Sequence, residues 1–380
     1  MANTLKFGAS EWYGSEGNIL AYNDENGNFK PLPFTFSRNS SATRVNKQGL
    51  IETVQANDAR VDFLDNAKGA LLLEPQRTNL VTNSNVFTNW TKQGNITVTA
   101  NQVISPDGLQ NASIIDFSNA TLASNGLFIF AGTPSASVSR TIYLKGANGG
   151  ETLQISDPNQ GGGLTVTLTT EWQRFEFTGG SASLCGIWLK NSVGNVIHAY
   201  GTQIEVGSHP TSFIPTQGTA QTRLGDVCNQ NGISQVINST EGVLYIETHN
   251  VLSGYDNNIY LTDGTNNERV GILFSNSSGN LVFQIRVNGV YIASITISAN
   301  QVNWEQTNKI AIKYKTNDMS FWLNGTKVAT DTSGTMFSPN TLTQLGFNSG
   351  SGGTFYGETR DLRVYNTALS DSELAALTTI

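Results

Sequence analysis

The chain of 380 residues carries 22 basic and 29 acidic side chains, a net charge of −7, and no run of Lys or Arg, which excludes a nucleic-acid surface built on phosphate neutralisation. Charged residues make up 13%, about half of the roughly 25% usual in a soluble domain, so solubility rests on Asn, Ser and Thr. Those residues suit sheet surfaces and tight turns better than helices, and no apolar run approaches the ~20 residues of a membrane span.

Residues 1–80 read as a small β module. Its opening segment, MANTLKFGASEWYGSEGN, has no charged stretch followed by an apolar core, so no secretory signal is expected. NDENGN (23–28) reads as a turn. Phe34 and Phe36 alternate with Thr35, and the runs ATRVN and LIETV flank Lys47-Gln48-Gly49 as the two arms of a hairpin. GALLLEPQRTNL adds an apolar strand stopped at Pro75. So little apolar material cannot build a core alone; the module is expected to attach to, or oligomerise with, a partner.

Residues 81–225 hold strand candidates every ten to fifteen residues, among them NITVTA, NASIIDF, GLFIFAG, VSRTIYLKG, WQRFEFTG and IHAYGTQIEV. That spacing predicts an antiparallel sandwich. Residues 226–380 repeat the pattern with GVLYIETHN, NNIYLTD, NLVFQIRVNG, KIAIKYK and MSFWLNGTKVAT. Asn317-Asp318 and Asn324-Gly325 read as tight hairpin turns, which places Phe321 and Leu323 on one sheet face and Trp322 on the other. The chain closes on a helix: Ser370-Asp371-Ser372-Glu373 is a capping box, and Leu374 and Leu377 give an apolar side. So short a helix persists only against something already folded. The fold class is therefore all-β: a small N-terminal module, two antiparallel jelly-roll sandwiches and a short C-terminal helix.

Two stretches carry resemblances. GETRDLRVYNTALSDSELAAL, with MSFWLNGTKVAT upstream, resembles the laminin-G/concanavalin A-like jelly rolls. Asp361, Leu362, Val364, Tyr365, Leu369, Ser370, Glu373 and Leu377 match their closing strand and helix, and Phe321, Leu323, Asn324 and Gly325 match a preceding hairpin in which Asp is commoner than Asn. YGTQIEVGSHPTSFIPTQGTAQTR (200–223) resembles the end of a carbohydrate-binding-module-like jelly roll of bacteriophage virion proteins, through Gly201, Gln203, Glu205, Gly207, Pro210, Thr211, Ser212, Ile214, Pro215, Thr216, Gly218, Thr222 and Arg223. FTFSRNSSATRVNKQGLIE and GALLLEPQRTNLVTNSNVF resemble segments that precede this module in phage fibres.

The resemblance implies a head- or tail-fibre or appendage subunit. It would be assembled in a bacterial cytoplasm, carried on the virion, joined to other virion proteins through residues 1–80, and homotrimeric as fibres commonly are. It would attach to host-surface or environmental glycans, with 81–225 and 226–380 as the two jelly rolls and neither nucleic acid nor membrane insertion involved. The alternative is a decoration or assembly protein that binds no glycan; a depolymerase is the third reading.

Chemistry-bearing motifs are sparse, and no catalytic residue is assigned. His198, His209 and His249 share no metal-ligand spacing, and no nucleophile motif occurs. Cys185 and Cys228 read as reduced, packed thiols. Glu358 and Asp361, three apart on a strand, are expected on opposite faces as surface charges near Arg360 and Arg363, which removes them as a glycosidase pair. Asp256, Asn257 and Asp263, with Asn266, are candidate calcium ligands, against the competing reading of Asx turns; no other cofactor is expected. Glycan recognition needs an aromatic platform: Trp322, Tyr255, Tyr291 and Tyr356 are the candidates, Trp322 first for its outward parity, with Trp304, Trp188 and Tyr200 behind them.

Overall fold

A computed structural model describes residues 4–7, 13–14, 20–23, 29–32, 34–120, 125–132, 137–155, 163–179, 184–190, 195–230, 232–234, 237–348 and 353–380. The turn expected at 23–28 lies almost wholly outside these residues. The paired strands run antiparallel throughout the described residues, and none of the described helices is long and apolar enough to cross a membrane.

The chain forms two compact units whose boundaries differ from the three expected sections. One comprises 1–39, 54–75 and 225–380; the other comprises 40–53 and 76–224. Residues 1–80 are thus shared between the two units. The reason is physical: their strands are too short to enclose a core, and they complete the edges of larger sheets instead. Phe34–Ser37 pairs with Val227–Gln230, and Arg60–Asp62 and Ala70–Leu73 extend a sheet of the first unit. Arg77–Asn79 pairs with Gln221–Arg223 in the second unit.

The first unit is a sandwich. One sheet runs Thr326–Asp331, Met319–Leu323, Asn308–Lys315, Glu241–His249, Gly357–Tyr365, Ala70–Leu73, Arg60–Asp62, with Thr4–Phe7 also paired to Gly357–Tyr365. The other runs Val290–Ile297, Leu281–Val287, Arg269–Phe274, Asn257–Thr262, Gln344–Gly346, Val227–Gln230, Phe34–Ser37. Alternation along each strand sends Leu244, Ile246, Ile310, Ile312, Phe321 and Leu323 inward to meet Ile259, Ile272 and Phe283. The turn at Asn324-Gly325 takes φ of 49° and 80°, the paired positive values of a tight hairpin, which Asn and Gly tolerate best.

The second unit has two five-stranded sheets. One is Thr91–Gln93, Gly126–Phe130, Leu184–Leu189, Thr152–Ile155, Leu164–Thr167; the other is Thr97–Ile104, Gln110–Asp116, Val196–Val206, Val138–Gly146, Gln173–Thr178. The segment 200–223 acts here as a clamp. Gln203 Oε1 accepts from the Ile214 amide at 2.6 Å, and Glu205 accepts from the Thr211 amide at 2.7 Å and its hydroxyl at 2.8 Å. The Thr216 hydroxyl donates to the Val81 carbonyl at 2.6 Å. Gln203, Glu205 and Thr211 are buried, so these motif residues satisfy backbone groups that would otherwise be stranded. Cys185 and Cys228 are free and buried, and burial pushes the Cys185 thiol up to about 12.

The closing helix, Asp371–Thr378, carries the expected box: Glu373 accepts from the Ser370 amide at 2.8 Å, and Ser370 Oγ accepts from the Glu373 amide at 3.4 Å. Its buried Leu374 joins Val243, Tyr245, Ala311, Trp322, Tyr365 and Leu369 on the outer face of the first sheet. Ser370→Ala is expected to cost about 1 kcal/mol of helix stability. Amide exchange at 374–378 should then speed about fivefold, as measured by hydrogen-exchange mass spectrometry.

Candidate functional site

The parity argument for Trp322 holds, yet the residue is no platform. It faces away from Phe321 and Leu323 but is only 5% exposed, because the closing helix covers it. Its indole donates to Ser320 at 3.0 Å, and Lys327 sits over the ring at 5.6 Å. Tyr255 and Tyr356 do come together, edge to face at 4.9 Å, and both are half-buried. Tyr291 is 46% exposed and lies near the other end of the same sheet, its hydroxyl accepting from Arg269 at 2.7 Å and its ring beside Arg269 and Arg286. Trp304 donates to the Gly279 carbonyl and packs on Phe274; Trp188 and Tyr200 are 4% and 3% exposed.

The calcium candidates do not make one site. Asp256 precedes, and Asp263 follows, the strand Asn257–Thr262, which separates them by ~20 Å at the usual rise. Asn257 is buried and spent: its amide donates to the Leu252 and Tyr255 carbonyls, and its Oδ1 accepts from the Tyr356 amide. Asp263 closes an Asx turn onto Thr265, while Asp256 accepts from the Asn276 amide. Among the described residues no three His, Cys, Asp or Glu side chains are placed to hold a metal.

Chemistry gathers elsewhere, on the outer face of the first sheet. Three strands place Lys309, Glu247 and Asp361 side by side, since Glu247 is paired to Lys309 on one flank and to Asp361 on the other. The register slips by one residue between Glu247 and Thr248. That bulge leaves Arg360 as the extra residue and returns Glu358 to the same face as Asp361. The expectation of opposite faces therefore fails: it assumed an unbroken alternation. The expected Arg partners are right, but both carboxylates are 5% exposed and not surface charges.

Each carboxylate is held by its neighbour. Asp361 accepts from Arg363 Nε at 2.9 Å, and Glu358 accepts from Arg360 at 3.2 Å. Burial, opposed by Arg363 and assisted by Glu247, pushes Asp361 up to about 6. Burial, opposed by Arg360 and assisted by Asp62, pushes Glu358 up to about 7. His249, cross-strand from Glu358, shares Thr307 with Arg360; burial and the Arg360 charge lower it to about 4. The Tyr245 hydroxyl donates to Glu247 at 3.3 Å, and Arg363 lies over its ring at 5.4 Å.

Tyr245, Glu247, Lys309, Arg360, Asp361 and Arg363 line a cleft of about 320 Å³. Asn66 and Lys68 enter it from the turn between Arg60–Asp62 and Ala70–Leu73, and Ala376 and Leu377 of the closing helix give an otherwise polar lining one small apolar edge. Sequence reasoning missed this site, although the charges of ETRDLR were its visible part. The helix thus walls one side of the cleft as well as capping the sandwich. Chemically the cleft offers hydroxyl, amide, carboxylate and cationic groups around one apolar edge, a set suited to a polyhydroxylated ligand.

Residues 248–375 match a laminin G-type family model described as the concanavalin A-like lectin/glucanases superfamily. No curated protein matches the chain. Among solved structures, the CBM40 of Ruminococcus gnavus IT-sialidase bound to α2,3-sialyllactose is 20% identical, with 37% of this chain and 83% of that one covered and a TM-score of 0.31. Domain 4 of the Geobacillus stearothermophilus arabinanase AbnA with arabinotriose is 12% identical, covering 46% of this chain and 84% of that one, with a TM-score of 0.33. Trypanosoma rangeli sialidase is 9% identical, covering 94% of this chain and 65% of that one, with a TM-score of 0.30. Likenesses this distant bear on neither ligand nor chemistry. The matched segment, by contrast, contains the strand and helix that build the cleft, and residues 248–375 are similar to the laminin-G/concanavalin A-like lectin/glucanases domains.

Proposed function

We propose that the chain is a bacteriophage fibre or appendage subunit whose lectin-type unit holds glycans in the cleft beside the closing helix. The cleft carries the glycan part of this reading: a depression of about 320 Å³ rich in hydrogen-bonding groups, with Leu377 and Ala376 as a wall for the apolar face of a sugar ring. The phage part, with attachment through residues 1–80 and a trimeric state, rests on the resemblance of 200–223 and its upstream segments. Copies displayed together make weak single sites sufficient, since avidity multiplies affinity by about 10²–10⁴. Binding is favoured over turnover because Arg363 engages both oxygens of Asp361, the carboxylate that faces Glu247.

A glycan array with the full chain tests the reading. Ala376 is exposed on the helix and lines the cleft, so Ala376→Trp fills the site at little cost to the fold. Binding is expected to fall at least tenfold in Ala376→Trp and to persist in Tyr291→Ala. Wild-type binding by Ala376→Trp places the site elsewhere, and a blank array for the wild type favours the decoration protein.

A further inference from the structure

The charges in the cleft do not balance. Lys68, Lys309, Arg360 and Arg363 line it against Glu247 and Asp361. Asp361 neutralises Arg363, and Glu358, just outside the lining, neutralises Arg360. Glu247 stands opposite Lys309 across the ladder, and the Lys309 ammonium donates to the Thr379 carbonyl at 2.8 Å with two further N–H groups to offer. Lys68 is left: it is exposed on its turn and its ammonium meets no carboxylate among the described residues. A positive surplus in a concave site, on a chain of net charge −7, focuses attraction on one place while the remaining surface repels anions.

We infer that the sugar taken by this cleft is acidic, its carboxylate meeting Lys68 and Lys309 while its ring lies against Leu377. This deepens the glycan-binding reading above and rests on it. The arginine forks are already occupied by Asp361 and Glu358, so the anion is met by lysine, whose ammonium is a mobile point charge. Such recognition tolerates variation in where the carboxylate sits on the ring and is sensitive to salt. The apolar wall distinguishes a sugar from a simple inorganic anion, which has no face to place there.

The test uses the full chain and a panel of uronic- and sialic-acid oligosaccharides, each paired with its own methyl ester, which keeps the shape and removes the charge. At least one acid is expected to bind ten or more times tighter than its ester at low salt. Lys68→Gln should erase that preference without changing the circular dichroism spectrum. Equal binding of acids and esters, both blocked by Ala376→Trp, overturns the acidic ligand and leaves the glycan site standing. Acid preference unchanged in both Lys68→Gln and Lys309→Gln overturns the assignment of the anion to these lysines. Binding of none of the panel, with neutral glycans bound, overturns it as well.

Discussion

Asp226→Ala is expected to destabilise the unit formed by 1–39, 54–75 and 225–380 by about 3–5 kcal/mol. Asp226 is fully buried and accepts three hydrogen bonds from three separate stretches of chain. Its Oδ1 receives Arg38 Nη1 at 3.1 Å, and its Oδ2 receives Arg60 Nη2 and, at 2.8 Å, the Glu74 amide. Arg60 also donates to Glu74 at 2.5 Å, and Arg38 donates to the Gln55 and Asp58 carbonyls. Both guanidinium groups are out of reach of solvent. The two carboxylates, more than offsetting burial, hold Arg60 firmly charged. Asp226→Ala would leave two buried cations with Glu74 as the carboxylate that remains among these ion pairs, and the cost is the charge that Asp226 no longer offsets. Calorimetry of the full chain should show one transition lowered by about 10 °C while the other stays in place. Asp226→Asn keeps one acceptor and should lose less. A change below ~1 kcal/mol in Asp226→Ala would mean that these arginines are solvated and that the cluster does not tie the segments together.

That cluster marks the limit of what the chain discloses in one dimension. Local signals read well. Asn324-Gly325 announces its hairpin, Ser370 and Glu373 announce the helix start, and the alternation of Phe321, Trp322 and Leu323 gives the correct faces. Each depends on neighbours a few residues apart. Arg38 and Asp226 are 188 residues apart, and no periodicity links them. The division of residues 1–80 between two units has the same origin, since edge pairing such as Phe34–Ser37 with Val227–Gln230 is a tertiary choice. Trp322 shows a subtler failure. Its outward direction was legible, but its burial depended on where the helix docks. The cleft was hidden by a single bulged residue, Arg360, which shifts the parity of every side chain before it in the strand. A bulge leaves no sequence signature here: Thr359, Arg360 and Asp361 read like any polar strand segment.

The same bulge makes stability depend on pH in a way that two substitutions can separate. Burial raises Glu358 from the ordinary 4.5 to about 7 and Asp361 from 3.8 to about 6, so the folded unit keeps protons that the unfolded chain releases. Their contribution is complete below about pH 4 and is lost as pH rises through 6 and 7. At about 1.36 kcal/mol per pH unit, the loss is ~3 kcal/mol for each. His249 works in the opposite sense. Lowered from 6.5 to about 4, it is neutral in the folded unit while the unfolded chain takes up a proton, so its contribution, smaller than either carboxylate's because solvent screens the half-buried ring, grows as pH rises from 4 to 6.5. Together the three groups leave a net loss of stability between pH 4 and 7.5, because the two buried carboxylates outweigh the screened imidazole. Glu358→Gln removes one of the two losses, and the fall in stability over this range should shrink by ~3 kcal/mol. His249→Gln removes the gain, and the loss should grow to the ~6 kcal/mol of the two carboxylates together. Hydrogen exchange at the amides of Gly357–Tyr365, corrected for the intrinsic rate at each pH, reads these changes in the unit concerned. Parallel profiles for the wild type and both variants would show that the carboxylates titrate near their ordinary values, and that water reaches the floor of the cleft.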